Sequence, residues 1–253
     1  MYTETILESI DLRKEFGALV AVAGVSIRVE KDSIHSIIGP NGAGKTTFFN
    51  LLSGTLPPTS GRVLFKGEDI TRVPMHRTIH LGIGRSFQIT NLFPNLTALE
   101  NVRLACQALG KDSFRFLQSY RAFPEYEARA LEVLEEVGLA GRAQALARTL
   151  PHGDQRKLEL AMILAPNPEV LLLDEPTAGM AGEQVPELIE LIRKVHRSGN
   201  KTIVVVEHNM SVVMNISDRI TVMHLGEILA EGTPAEIAAD EAVRKAYLGE
   251  LYG

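Results

Sequence analysis

The chain has 253 residues, 45% of them hydrophobic, with a net charge of −5 and a single cysteine. That is enough apolar material for one large domain, or a core with a smaller lobe, and it excludes a disordered chain. The acidic balance argues against a broad nucleic-acid footprint. A lone Cys106 excludes an intramolecular disulfide and any multi-cysteine metal site, which fits a reducing compartment, and Cys106 is expected to pack inside a helix.

The opening MYTETILESIDLRKEF has neither a basic n-region nor an apolar h-region, so it does not read as a secretory signal, and the protein is expected in the cytoplasm. Ile6 to Leu12 and Val25 to Val29 alternate apolar and polar residues, as strands of an antiparallel sheet do. Ile34 to Ile38 is an apolar stretch that runs into Gly39-Pro40-Asn41-Gly42-Ala43-Gly44-Lys45-Thr46, which fits G-x-x-x-x-G-K-[ST] and precedes a helical pattern. Beyond it, Arg62 to Phe65 reads as a short strand entering the Lys66-Gly67 turn, and Gly82 to Phe87 as another strand ending at Gln88.

From Thr97 the pattern turns helical. Thr97 and Glu100 are spaced for a capping box, with Leu99, Val102 and Cys106 along one face. A second helix covers Glu125 to Val137, with Ala130, Leu131, Leu134 and Val137 as its apolar stripe and Glu127, Arg129, Glu132, Glu135 and Glu136 as its solvated face. Val170 to Glu175, VLLLDE, is a continuous apolar run ending in two acids, the signature of a strand buried on both faces of a parallel sheet. Gln184 to Val195 reads as helix, Gly199-Asn200 as its stop, and Thr202 to Val206 as a strand ending at Glu207-His208. Ser211 to Ile216 is a short helix, Arg219 to Leu225 and Glu227 to Ala230 are strands around Gly226, and two short helices follow Thr233. The alternation of strand and helix argues for an α/β core. The longest apolar runs are far below the ~20 residues of a membrane span, so any work at a membrane requires docking onto another protein.

The chemistry begins at the glycine-rich loop. Gly39, Gly42 and Gly44 let the backbone turn its N–H groups inward, and the helix opening near Lys45 adds the positive end of its dipole, which together make a phosphate cradle. Lys45 would reach the β and γ phosphates as a point charge, Thr46 would place its hydroxyl on Mg²⁺, and Thr47 would sit near the α phosphate. Asp174 and Glu175, adjacent at a strand end, point different ways. Asp174 would hold Mg²⁺ and Glu175 would polarise an attacking water as general base.

With these motifs in this order, the chain resembles the ATP-binding subunits of ABC transporters over essentially its whole length. The resemblance implies ATP and Mg²⁺ as ligands and a P-loop NTPase (RecA-like) core, with an N-terminal antiparallel β subdomain and an α-helical signature subdomain. Residues 1–95 and 166–230 would form the core and β subdomain, 96–165 the helical subdomain and 231–253 a helical tail. Gln88 in SFQITNLFPNLT looks like the glutamine that senses the γ phosphate and Mg²⁺, and His208 in VVVEHNM like the switch histidine that touches the γ phosphate. Phe16 lies where the family places its adenine-stacking aromatic, although a core role is the bland alternative. Pro151, His152, Gly153 and Asp154 occupy the place of the signature loop, which in this family meets the nucleotide of a second, head-to-tail ATPase subunit. Two departures stand out: Pro151 replaces the signature serine and supplies neither hydroxyl nor N–H, and Ala181 replaces the loop aspartate.

These departures, with NLFPNLTALENV, AGM, EGTPAEI and AYLGE, resemble most the ATPase subunits of branched-chain amino-acid importers. The resemblance implies two membrane permeases, an extracytoplasmic substrate-binding protein reached indirectly, no nucleic acid, and a peripheral place on the cytoplasmic face of the cell membrane. Gln88 is the expected hinge, and a groove beside it, including Phe93 and Leu96, is expected to accept a permease helix. Urea, amide or lipopolysaccharide transport and a non-transport ABC ATPase are the alternatives.

Overall fold

The computed structural model describes residues 4–86, 92–110 and 124–248. Among these, the strands form two sheets. The first is antiparallel: β1 (Thr5–Phe16) pairs with β2 (Leu19–Val25), with β3 (Arg28–Glu30) and with β5 (Ser60–Phe65), which in turn pairs with β6 (Glu68–Asp69). The two alternating stretches are therefore strand, but the first runs on to Phe16 and turns at Gly17 into β2, whose LVAVAGV has no clean period-2 signal. The second is broken between β2 and β3. There the Ser9 hydroxyl donates to the Val25 carbonyl and accepts from the Ile27 N–H, both at 3.0 Å, so a side chain satisfies the backbone at the break.

The second sheet has the order β11-β10-β4-β9-β8-β7, with β4 (Ile34–Ile38), β7 (Ile83–Arg85), β8 (Val170–Asp174), β9 (Thr202–Val206), β10 (Arg219–His224) and β11 (Glu227–Gly232). All neighbours are parallel except the β10–β11 hairpin. Every residue of β4, β8 and β9 is buried, as continuous apolar runs demand. In β8 and β9 the alternate residues serve different cores. Leu171, Leu173, Ile203 and Val205 pack with the helices, whereas Val170, Leu172, Val204 and Val206 pack with the antiparallel sheet and α1 (Lys45–Leu52).

The helical lobe comprises α3 (Ala98–Cys106), α4 (Pro124–Glu136) and α5 (His152–Leu164). The Thr97/Glu100 capping box forms, with Glu100 N–H donating to Thr97 Oγ1 at 3.1 Å and Thr97 N–H to Glu100 Oε2 at 2.8 Å, and Leu99, Val102 and Cys106 are buried. On α4 the expected stripe needs one correction: Leu131 is 43% exposed and Val133 is buried instead. Ala130, Val133, Leu134 and Val137 follow the i, i+3, i+4, i+7 spacing of one helix face, and Leu131 sits about 100° off it. The helix α2 (Met75–Leu81), bounded by Pro74 and by Gly82 at φ 102°, is too short for its periodicity to show in the sequence. Across β8 and β9 lie α6 (Val185–Gly199), stopped by left-handed Asn200, and α7 (Met210–Ile216). Two tail helices, α8 (Pro234–Ala239) and α9 (Glu241–Leu248), pack Ile237 and Val243 against Ile38, Ile220 and Val222. No helix among the described residues is long and apolar enough to cross a membrane.

Candidate nucleotide site

Because β4, β9 and β8 are adjacent and parallel, the loops at their carboxyl ends share one edge of the sheet. The glycine-rich loop follows β4, Glu207 and His208 follow β9, and Asp174 and Glu175 close β8.

In the loop, the three glycines act differently. Gly39 (φ 154°) and Gly44 (φ 95°) have no room for a Cβ, which would run into the Met223 and Ala21 carbonyl oxygens respectively. At Gly42 (φ 77°) the space is open and only the left-handed backbone calls for glycine. The loop is braced by Ala43 N–H to the Pro40 carbonyl at 3.2 Å and by Gly226 N–H to the Ala43 carbonyl at 3.0 Å. Asn41 and Thr46 face solvent, and Thr47 is half-buried. Lys45 is buried and donates from Nζ to the Gly39 and Pro40 carbonyls, at 2.6 and 2.9 Å, so its charge lies in the cradle. Gly44 caps α1 without a side chain, and the first turn carries no acid to compete with an anion. Gly44→Ala combines a left-handed residue, worth ~1–3 kcal/mol of strain, with a backbone overlap. We expect it to lower the melting temperature and weaken nucleotide binding at least tenfold, measured by titration with a fluorescent ATP analogue.

Asp174 is buried, and neither carboxylate oxygen has a hydrogen-bond partner. Its N–H donates to Ser86 Oγ at 2.8 Å, and Arg85 Nη2 stands 3.9 Å from Oδ2. Burial pushes its pKa up; Arg85 opposes the shift, while Glu175 and Glu207 add to it. Glu175 lies just beyond β8 in a left-handed conformation (φ 46°), with its N–H on the Val206 carbonyl at 2.8 Å. That turn separates the two acids and brings Glu175 Oε1 to 3.9 Å from His208 Nδ1. His208 is exposed, on the open side of the site.

Phe16 ends β1 and is 49% exposed, with Lys14 Nζ 5.2 Å from its ring centroid, so the core alternative does not hold. Its hairpin abuts the phosphate loop, since the Ala21 carbonyl fills the space beside Gly44 and Ala23 N–H bonds the Gly226 carbonyl at 2.8 Å. Gln88 lies outside the described residues. The chain leading to it is fixed beside β8 by Ser86 N–H on the Leu172 carbonyl at 2.8 Å.

Pro151 to Asp154 stand apart, at the start of α5 in the helical lobe. Pro151 is the extended N-cap and offers no side-chain cap bond. Asp154 is ion-paired with Arg142 at 2.5 Å and Lys157 at 3.5 Å. Gly153 is buried against Gln184, and His152 lies beside Gly179. Ala181 is exposed.

Two further residues escaped the sequence reading. Arg85 donates to Asn50 Oδ1 at 2.6 Å, to Thr55 Oγ1 at 2.5 Å and to Ser53, stacks 4.9 Å from the Phe49 ring, and so locks α1 to the strand beside Asp174. Glu207, 0% exposed, accepts hydrogen bonds from both strand-end loops. A charged residue at a strand end was the only signal for either.

The family profile described as ABC transporter matches residues 22–178, the greater part of the chain and all of the loop, Asp174 and Glu175. The chain belongs to the ABC transporter ATP-binding family. A second profile, Branched-chain amino acid ATP-binding cassette transporter, matches residues 227–252. This ABC ATPase is similar to the high-affinity branched-chain amino acid transport ATP-binding protein BraF of Pseudomonas aeruginosa, 43% identical over 97% of this chain and 98% of BraF. It is also similar to the corresponding LivG protein of Salmonella typhimurium, 41% identical over 98% and 99%. The lipopolysaccharide export ATP-binding protein LptB of Haemophilus influenzae is more distant, at 32% over 98% and 99%. Among solved structures, the ADP conformation of the ATP-binding cassette MJ1267 superposes with a TM-score of 0.87, 32% identity and coverage of 98% and 100%. The resemblance to importer-type ABC ATPases and the α/β P-loop fold are thus borne out, and the phosphate loop belongs to a nucleotide-binding ATPase.

Proposed function

We propose that this ABC ATPase hydrolyses ATP at a site shared with a second, head-to-tail ATPase subunit, identical or homologous, and so powers import of branched-chain amino acids. The observation that carries the site is the convergence of Lys45, Asp174, Glu175 and His208 at the carboxyl ends of three adjacent parallel strands. Gly39 to Thr47 wrap the phosphates with backbone N–H groups, and Lys45 trades its two carbonyl partners for phosphate oxygens. Phe16 stacks on adenine. Glu175 takes the proton of the attacking water as its oxygen bonds the γ phosphorus and ADP leaves, while His208 steadies Glu175 and the γ phosphate.

Mg²⁺ fits this donor set: Asp174 has two buried oxygens with no hydrogen-bond partner, and Thr46 is an exposed hydroxyl. Asp174 and Thr46, with Gln88, would hold the ion, whose charge would offset that of the phosphates. In the pair, each chain's Pro151 to Asp154 faces the other's nucleotide. With Pro151 lacking a donor and Asp154 already ion-paired, that contact rests on the free N–H groups opening α5.

Two membrane permeases are the direct partners, at the cytoplasmic face, and a substrate-binding protein acts outside. A cavity of about 260 Å³ between α2, α3 and α5, lined among others by Met75, Ile79, Ala105, Met162 and Ile163, suits an apolar helix from a permease. Phe93 and Leu96, expected in a groove beside Gln88, are not among the residues lining this cavity; Asn101 fastens their segment to α3 through the Phe93 N–H and the Phe93 and Thr97 carbonyls, with Phe93 left exposed. The test is reconstitution with candidate permeases in proteoliposomes, with leucine, isoleucine, valine, urea and amides compared as cargo. ATP turnover indifferent to permeases would overturn the transport reading. Met162→Glu is expected to cut uptake roughly tenfold or more by forcing an unpaired charge into the contact, with nucleotide affinity retained.

A further inference from the structure

Glu207 is a buried carboxylate with no function in the mechanism above. Its Oε1 accepts from the Thr177 N–H at 3.1 Å and the Thr177 hydroxyl at 2.6 Å, and its Oε2 from the N–H groups of His208 and Asn209 at 3.2 and 3.4 Å. All four are donors, so both oxygens act as acceptors, and a charge fully removed from water is held by hydrogen bonds. The donors come from two loops. Thr177 lies two residues after Glu175, in a turn closed by Ala178 N–H on the Glu175 carbonyl at 3.0 Å, while His208 and Asn209 lead into α7.

We propose that Glu207 is a positioning residue that staples the loop after β8 to the loop after β9 and thereby sets Glu175 and His208 in working relation. The inference rests on the roles proposed above for those two residues. Without the staple, the 3.9 Å approach of His208 to Glu175 has no other side-chain brace between its two loops among the hydrogen bonds of the described residues. Glutamine cannot replace glutamate here, because its amide has one acceptor oxygen and its NH₂ would face N–H donors on one arm. A misplacement of reacting groups by about 1 Å can cost ~10²-fold in rate, whereas the phosphate loop, after a different strand, would keep its grip on ATP.

The test is a double-mutant cycle on the full chain with Glu207→Gln, His208→Ala and both, following ATP turnover, ATP KM and thermal unfolding. Glu207→Gln is expected to lower kcat about 10- to 100-fold with KM little changed, and most of that loss should vanish in the His208→Ala background. An equal loss in both backgrounds, or a rise in KM with kcat intact, would overturn the positioning role. If His208→Ala costs turnover and Glu207→Gln does not, only the Glu207 inference fails. If His208→Ala is silent, the site reading itself fails and this inference with it. Should Glu207→Gln not fold, Thr177→Val removes only the hydroxyl donor and should lower kcat by a smaller factor, with Thr177→Ser restoring it; equal kcat for Thr177→Val and the parent chain would count against the staple.

Discussion

Glu175→Gln binds ATP with the affinity of the parent chain and hydrolyses it ~10²–10⁴-fold more slowly, the range expected when a positioned base is removed. The geometry separates the two effects. The phosphates are held by a loop after β4, while Glu175 sits after β8, where its N–H bonds the Val206 carbonyl and its carboxylate faces His208. Glutamine fills the same volume and its N–H can still bond the Val206 carbonyl, so the left-handed turn at φ 46° keeps its anchor. Equilibrium binding of a labelled ATP and single-turnover hydrolysis check both halves. Turnover within a few-fold of the parent would remove Glu175 from the mechanism.

Asp174→Asn produces a more stable protein that does not work. In the metal-free chain its carboxylate is buried with neither oxygen hydrogen-bonded, and the charge is offset by Arg85, at 3.9 Å, and to a lesser degree by Lys45. A neutral amide there is cheaper to bury than a charge. The melting temperature without Mg²⁺ should rise by a few degrees, each kcal/mol being worth roughly 2–4 °C at this size. Turnover should fall by about 10²-fold or more, since a bound metal supplies several kcal/mol to the transition state. The pH dependence has a definite sign. Burial raises the pKa of Asp174, so the folded chain holds that proton more tightly than the unfolded one; metal-free stability at this group increases as pH falls through the raised carboxylate range and is lost as it rises. Asp174→Asn should abolish that component, and a flat difference between the two stability profiles would contradict the assignment.

What could be read from residues alone had its physics written locally. The loop from Gly39 to Thr46 carries its own conformational demands, β8 and β9 announce two-sided burial by unbroken apolar runs, and the Thr97–Glu100 pair closes on itself within one turn. Thr233 and Glu236 form a second such box that opens α8. What escaped depends on partners far apart in the chain. Arg85 matters because Asn50, Thr55 and Asp174 meet around it, and Glu207 because Thr177 and His208 do. Hydrophobicity alone puts Leu131 on the α4 stripe, although the 3.6-residue period already sets Val133 on that face, and the packing of α4 on α3 buries Val133 and leaves Leu131 exposed.

The two-faced strands β8 and β9 have a consequence for how the molecule comes apart. With one set of alternate side chains in the helical core and the other in the core beneath the antiparallel sheet, neither lobe owns its floor. A fragment lacking either lobe would expose a row of aliphatic side chains to water, and a slip of one residue would exchange the two rows and carry Asp174 off its place. The lobes should therefore melt in a single cooperative transition, and residue insertions within 170–174 or 202–206 should be lethal to the fold while the same insertion in an exposed turn is tolerated.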